Sequence, residues 1–202
     1  MNFEKSNARI ETKTWIRGLG KFLVSPSIFL FPKHMVSSAD PERANVDQFI
    51  QSVRNARAGE LLLDAGAGNF RFRELLIKKD YTYESQDFEQ VFDQNSRGAH
   101  TYVCDITSIP VESNRFGVVV CTQVLEHLPD PLGALKELAR ILKPGGELFL
   151  TTNLLFPIHG APYDYFRFTN YGLEHLCRES GFSKIEVVAR GGFFSLCAKI
   201  VF

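Results

Sequence analysis

The chain has 202 residues, enough for one domain with a sizeable core. Lys plus Arg and Asp plus Glu each number 23, so the formal net charge is zero and no whole-protein field favours a nucleic acid partner. Cys104, Cys121, Cys177 and Cys197 are scattered, with neither a C-x-x-C pair nor metal-ligand spacing, and read as buried thiols of a reducing, cytoplasmic compartment.

The start, Met1-Asn2-Phe3-Glu4-Lys5, lacks a secretory-leader pattern. No run approaches the roughly twenty apolar residues of a spanning helix. Residues 1–40 read as an irregular, amphipathic segment broken by prolines, and residues 41–202 as the folded domain. Two stretches, Trp15 to Phe31 and Phe193 to Phe202, hold many of the 18 phenylalanines. Each suits a bilayer surface, giving peripheral membrane contact, or equally cover for the core or for a partner subunit in an oligomer. Asp40-Pro41 predicts a helix start, with Asp as cap and Pro in the first turn. That helix is expected to reach about Arg57, with Val46, Phe49, Ile50 and Val53 on one face.

Leu61-Leu62-Leu63-Asp64-Ala65-Gly66-Ala67-Gly68-Asn69-Phe70 follows. An apolar run reads as a buried parallel strand, and the alternate glycines allow a sharp turn that brings backbone N–H groups near a ligand. This is a strand–loop–helix nucleotide pocket. A dinucleotide fingerprint would need a third glycine where Arg71 stands, and no G-K-[ST] follows for a phosphate loop.

Further elements are predicted in order: a helix over 70–79, a strand over 81–86 ending at Asp87, and a strand over 101–104 ending at Asp105. A β-branched strand over 116–121 precedes a helix over 131–142, which the turn Lys143-Pro144-Gly145-Gly146 closes. A fifth strand over 147–152, a helix over 169–180 between Thr169 and Gly181, and a sixth strand over 184–189 complete the pattern. Alternating strands and helices imply an α/β, doubly wound, mostly parallel sheet covered on both faces.

In such a sheet ligands sit outside the carboxyl ends of the strands. Asp87, about twenty residues past the glycine loop, is placed to accept hydrogen bonds from two ribose hydroxyls, or to serve as a turn acid. After Asp105, Ile106 supplies an apolar wall, although an Asp there also caps local N–H groups.

The D-x-G-x-G loop, the acids at 87 and 105, Val124-Leu125-Glu126-His127-Leu128-Pro129-Asp130-Pro131 and Leu142-Lys143-Pro144-Gly145-Gly146 together resemble the class I S-adenosylmethionine-dependent methyltransferases over about residues 59–153. The resemblance implies a Rossmann-like fold and S-adenosyl-L-methionine as cofactor. It implies cofactor contacts from Asp64, Gly66, Gly68, Asp87, Asp105, Ile106, Thr122 and Gln123, with Asp105 on the adenine amino group. Members of that family close the sheet with an antiparallel last strand, which is expected to be absent before Phe202. Some quinone-pathway members hold a divalent ion through E-x-x-E-H. Here Gln123 replaces the first acid, which weakens a hard-cation site, so no metal is expected.

The stretch from Pro157 to Thr169 packs aromatics with His159, Asp164 and Arg167, and resembles the P-x-D-x-F-R-[FY]-T segment of bacterial members. Such loops on a rigid scaffold carry specificity. His127, His159 and Asp164 are the candidate acid–base groups for a hydroxyl acceptor, and Arg167 could pair with an anionic group. The implied reaction is in-line methyl transfer to a small molecule, a lipid, glycan or quinone-type acceptor. The alternative is a catalytically silent S-adenosylmethionine-binding partner protein.

Overall fold

The structure, a computed structural model, describes residues 41–88 and 100–189. The Asp40 cap, both Phe-rich stretches and Cys197 lie outside them, and with them the expectations of membrane contact and of an oligomer. Among the described residues no helix is long and apolar enough to cross a membrane.

The elements run α1 (Pro41–Gln51), β1 (Leu61–Ala65), α2 (Arg73–Ile77), β2 (Thr82–Asp87), β3 (Tyr102–Val103), β4 (Phe116–Thr122), a single 3₁₀ turn (Leu125–His127), α3 (Pro131–Ile141), β5 (Leu142–Thr151) and α4 (Asn170–Glu179). The five strands form one sheet in the order β3-β2-β1-β4-β5, and every pairing is parallel. From β1 the chain winds outward through β2 to β3, then crosses back to place β4 against the other side of β1. The crevice between the ends of β1 and β4 is the topological switch point at which open α/β sheets bind ligands.

Both faces of the central strands are buried, as parallel sheets require. Leu62, Val118 and Val120 pack beneath Val46 and Ile50 of α1 and Leu76 of α2. Leu63, Val119 and Cys121 pack beneath Ala134, Leu138 and Ile141 of α3. Cys121 and Cys177 are buried free thiols and Cys104 is half-buried and free. Burial pushes all three thiols up, away from the reactive thiolate.

Several boundaries differ from expectation, each for a local reason. Helix α1 stops at Gln51, six residues early, where the Lys79 ammonium donates to the carbonyls of Gln51 and Val53 at 3.0 and 2.7 Å. Helix α2 starts only at Arg73 because Phe70 sits at φ +59°, outside helical space. Strand β3 keeps two residues. Leu142 already pairs with Phe116, so Lys143-Pro144-Gly145-Gly146 bulges within the β4–β5 ladder before Glu147 rejoins at Val118. Helix α4 has the predicted Thr169 cap, whose Oγ1 accepts from the Gly172 N–H at 3.0 Å, and Gly181 ends it at φ +97°. The expected sixth strand, residues 184–189, is not a strand: β5 is the edge of the described sheet, and without a ladder partner an apolar alternation is only extended chain.

Candidate functional site

The glycine loop leaves β1 at the switch point. Gly66 has φ +70°, and a Cβ on it would lie 2.3 Å from Val124 Cγ2, so both conformation and space demand glycine. Gly68 has φ +50° and faces open space. The loop is fastened to the end of β2: the N–H groups of Gly66 and Ala67 donate to the Gln86 carbonyl at 2.9 and 3.0 Å, and the Gly68 N–H donates to Asp87 Oδ2 at 2.8 Å. Asp87 Oδ1 accepts from the Phe88 N–H. Gln86, a buried amide, receives the Gly66 N–H on Oε1 and donates through Nε2 to the Cys104 carbonyl at 2.6 Å. It therefore ties the glycine loop to the end of β3. Sequence reasoning passed over Gln86; the signal was a polar side chain in a strand interior.

A cavity of about 300 Å³ opens here, lined among others by Asp64, Gly66, Asn69, Thr122, Gln123, Asn153, Phe156 and His159, with Val46 and Phe72 as apolar wall. The volume is at the small end of the range for ligand sites. Of the predicted residues, the cavity unites Asp64, Gly66, Thr122, Gln123 and His159. Gly68, Asp87, Asp105, Ile106, His127 and Asp164 are not in its lining. Ile106 packs in the core with Ile109 and Leu63 instead of forming a wall of the cavity, because the turn after β3 folds it under α3. Asp105 Oδ1 accepts from the N–H and hydroxyl of Thr107, both at 2.8 Å, the local turn bond such an acid makes.

Asp64 is the unusual acid. It is 1% exposed, its Oδ2 accepts from the Tyr83 hydroxyl at 2.8 Å, and its Oδ1 is buried with no hydrogen-bond partner among the described residues. Burial, opposed by the Tyr83 bond, pushes its carboxyl up to about 6. A buried carboxylate oxygen lacking a donor, in the wall of a cavity, is complementary to a ligand ammonium. The residues present therefore fit the amino-acid end of S-adenosylmethionine.

The other side of the cavity is built by β4, β5 and the loop after β5. Gln123 holds φ +55°, fixed by its N–H to the Thr151 carbonyl at 2.9 Å and its Nε2 to Thr151 Oγ1 at 3.1 Å. Glu126 is fully buried. Its carboxylate accepts from Thr152 Oγ1 and Asn153 Nδ2, both at 2.8 Å, and its carbonyl accepts from the N–H groups of Tyr165 and Phe166. His127 Nδ1 lies 2.6 Å from the Tyr163 carbonyl, and His159 Nδ1 lies 3.2 Å from the Pro157 carbonyl. Each ring nitrogen facing a carbonyl must carry the proton, leaving the lone pair on Nε2. The two rings meet edge to face, centroids 4.7 Å apart.

Asp164 is not placed as a base. Its two oxygens accept from Arg167 at 2.6 and 2.8 Å, and Oδ2 also accepts from the His159 N–H at 2.9 Å. The Arg167 guanidinium holds its carboxyl well below the usual carboxylate range. Asp164 and Arg167 are loop staples that fix where His159 stands.

This fold, a parallel 3-2-1-4-5 sheet with a glycine loop at the switch point, is that of the Rossmann-like methyltransferases. Residues 63–150 match a family of methyltransferase domains, and the chain's sheet and glycine loop are those of the Rossmann-like methyltransferase fold. A ubiquinone biosynthesis O-methyltransferase of Coxiella burnetii (strain RSA 493 / Nine Mile phase I) is 33% identical over 119 residues, 52% of this chain and 51% of that enzyme. The chain spans about half the length of such relatives. Among solved structures, Haemonchus contortus phosphoethanolamine N-methyltransferase 2 bound to S-adenosyl-L-methionine aligns with TM-score 0.54 at 20% identity, covering 69% of this chain and 36% of that one. The [4+2]-cyclase SpnF aligns with TM-score 0.51 at 23% identity, covering 69% and 57%. At such identities these two speak to the fold alone, and SpnF shows that the fold hosts more than one chemistry.

Proposed function

We propose that this chain binds S-adenosylmethionine and moves its methyl group to the hydroxyl of a small quinone-type or related aromatic acceptor. The buried Asp64 oxygen that has no hydrogen-bond partner among the described residues, in the wall of the cavity, carries the reading, because it supplies the acceptor that the cofactor's ammonium end needs. Asp87, at the end of β2, would hold the ribose hydroxyls in exchange for its bond to Gly68. Asp105, exposed at the end of β3, would meet the adenine amino group with the oxygen that Thr107 leaves. Thr122 and Gln123 would border the cofactor from β4.

When bound, the cofactor would supply an electrophilic methyl carbon on a sulfonium whose sulfur can leave, with the electron pair, as a neutral thioether. The chain's task is to bind, align and exclude water, and to help the hydroxyl proton leave. His159, which lines the cavity, and His127, whose ring meets it edge to face, would serve that last task. The 33% identical relative, a ubiquinone biosynthesis O-methyltransferase, supports a hydroxyl acceptor.

Calorimetric titration of the full chain with S-adenosylhomocysteine, and separately with NAD, tests the cofactor. Binding of the first without the second is expected; no binding of S-adenosylhomocysteine at millimolar concentration overturns the reading. Transfer of labelled methyl groups into a quinone-precursor extract tests turnover. Binding without transfer would favour a catalytically silent partner protein.

A further inference from the structure

Arg71 stands in the wall of the same cavity as Asp64. Among the described residues of that lining, Asp64 is the one carboxylate and Arg71 the one guanidinium. The turn that brings Arg71 there is locked from inside the fold. Phe70 holds φ +59°, which a bulky residue keeps only where its surroundings enforce it. Its ring is 3% exposed and stacks on His100 with centroids 4.4 Å apart, and its N–H donates to the Ala67 carbonyl at 2.9 Å. That conformation keeps Arg71 out of α2. The guanidinium is then oriented twice. It lies over the Phe72 ring, 5.1 Å from the centroid, and its Nη2 donates to Asp47 Oδ1 of α1 at 2.7 Å. Both partners of that ion pair are partly exposed, so it adds little stability. Its geometric effect is to hold a planar fork of five N–H donors at the cavity wall.

We infer that Arg71 holds a carboxylate of the bound molecule, so that Arg71 and Asp64 together form a site for a zwitterionic α-amino acid end. The two opposite charges decide the ligand class. A phosphate would be repelled by the Asp64 carboxylate, and a simple amine by the guanidinium. A group that carries ammonium and carboxylate on one carbon suits both. A planar carboxylate also matches the guanidinium fork, which can give it two parallel N–H···O bonds where a lysine would offer only a point charge.

The assignment rests on the proposed cofactor, whose methionine part ends in such a group, and it names the residue that grips the acid of that end. It also gives the exposed Arg71–Asp47 pair a purpose: α1 aims the guanidinium from across the glycine loop. The same carboxylate chemistry could come from an acidic aromatic acceptor, and the experiment separates the two sources.

Calorimetry on the full chain compares S-adenosylhomocysteine with its decarboxylated analogue, which keeps the amine, the thioether and the nucleoside. The parent should bind the intact compound at least about tenfold more tightly, as one charge-assisted contact warrants. Arg71→Met keeps the apolar stem over Phe72 and removes the fork. It should bind S-adenosylhomocysteine at least about tenfold more weakly and the analogue as the parent does. Arg71→Lys should recover only part of the loss. Benzoate, titrated into chain saturated with S-adenosylhomocysteine, reads the other source and should behave alike with parent and Arg71→Met. A parent preference below about threefold overturns the assignment without recourse to any variant. Equal loss of both compounds in Arg71→Met overturns it in favour of a merely structural role. Unchanged S-adenosylhomocysteine affinity in Arg71→Met, with benzoate binding lost, overturns it in favour of the acceptor. A parent that binds neither nucleoside sinks the cofactor reading and this assignment with it, whereas one that binds both equally sinks this assignment alone.

Discussion

Glu60 and Asp64 stand at opposite ends of β1, both buried, and the protein treats them oppositely. Glu60 accepts from both Nη atoms of Arg54, at 2.6 and 2.7 Å, and from the Arg57 N–H at 2.8 Å. Arg54 also pairs with Glu147, and Gly117 leaves the room, since a Cβ there would lie 2.2 Å from Glu60 Oε1. These donors, Arg54 foremost, pull the Glu60 carboxyl down to about 2. Asp64 has one donor and an oxygen with none, and burial raises it to about 6. The amino end of the sheet satisfies its charges internally and holds the strands together. The carboxyl end leaves one carboxylate oxygen without a donor among the described residues, which costs stability and suits a ligand that brings one.

That contrast can be broken from either end. Arg54→Met should do most damage, about 2–3 kcal/mol at pH 7 by urea unfolding, because it strands a buried carboxylate. Glu60 is depressed in the fold, so its contribution is present above about pH 4.5 and fades as pH falls toward 2; the penalty of Arg54→Met should shrink over that window.

Asp64→Asn should do the reverse and stabilise the ligand-free protein by about 2 kcal/mol at pH 8. The carboxyl is raised in the fold, so the parent loses stability as pH climbs from about 3.8 to about 6, and the gain should vanish at pH 4. The same substitution should weaken S-adenosylhomocysteine binding, read by calorimetry; tighter binding would end the ammonium assignment.

Asp87→Ala should cost at least tenfold in that affinity, about 1.4 kcal/mol, with little change in melting temperature. Unchanged affinity removes Asp87 from the site. The smallest effect is expected for Lys79→Met, about 0.5–1 kcal/mol, seen as faster amide exchange in the last turn of α1 once the Gln51 and Val53 carbonyls lose their donor.

The sequence made much of this legible. The apolar runs of β1 and β4, the glycine loop and the Thr169 cap are local, because period, glycine and hydroxyl act over a few residues, and each stands where expected. The end of α1 was not legible, since it is set by Lys79 from another element. Residues 184–189 have the composition of a strand but no neighbouring ladder. Asp164 and Ile106 were misjudged for one reason: a residue type announces what a side chain can do, while its neighbours decide whether it is free to do it. Arg167 occupies the first and the core under α3 encloses the second.

By itself, then, the order of residues determined the class of fold and the strand ends at which the glycine loop stands, because backbone periodicity and turn chemistry are short-range. Only the tertiary structure decided that one Asp64 oxygen lacks a partner among the described residues, that Gln86 stitches the glycine loop to β3, and that His159 comes to lie against Glu126 and His127. These are meetings of segments distant along the chain, and burial, which sets the strength of every charge and hydrogen bond among them, exists only once the sheet is assembled.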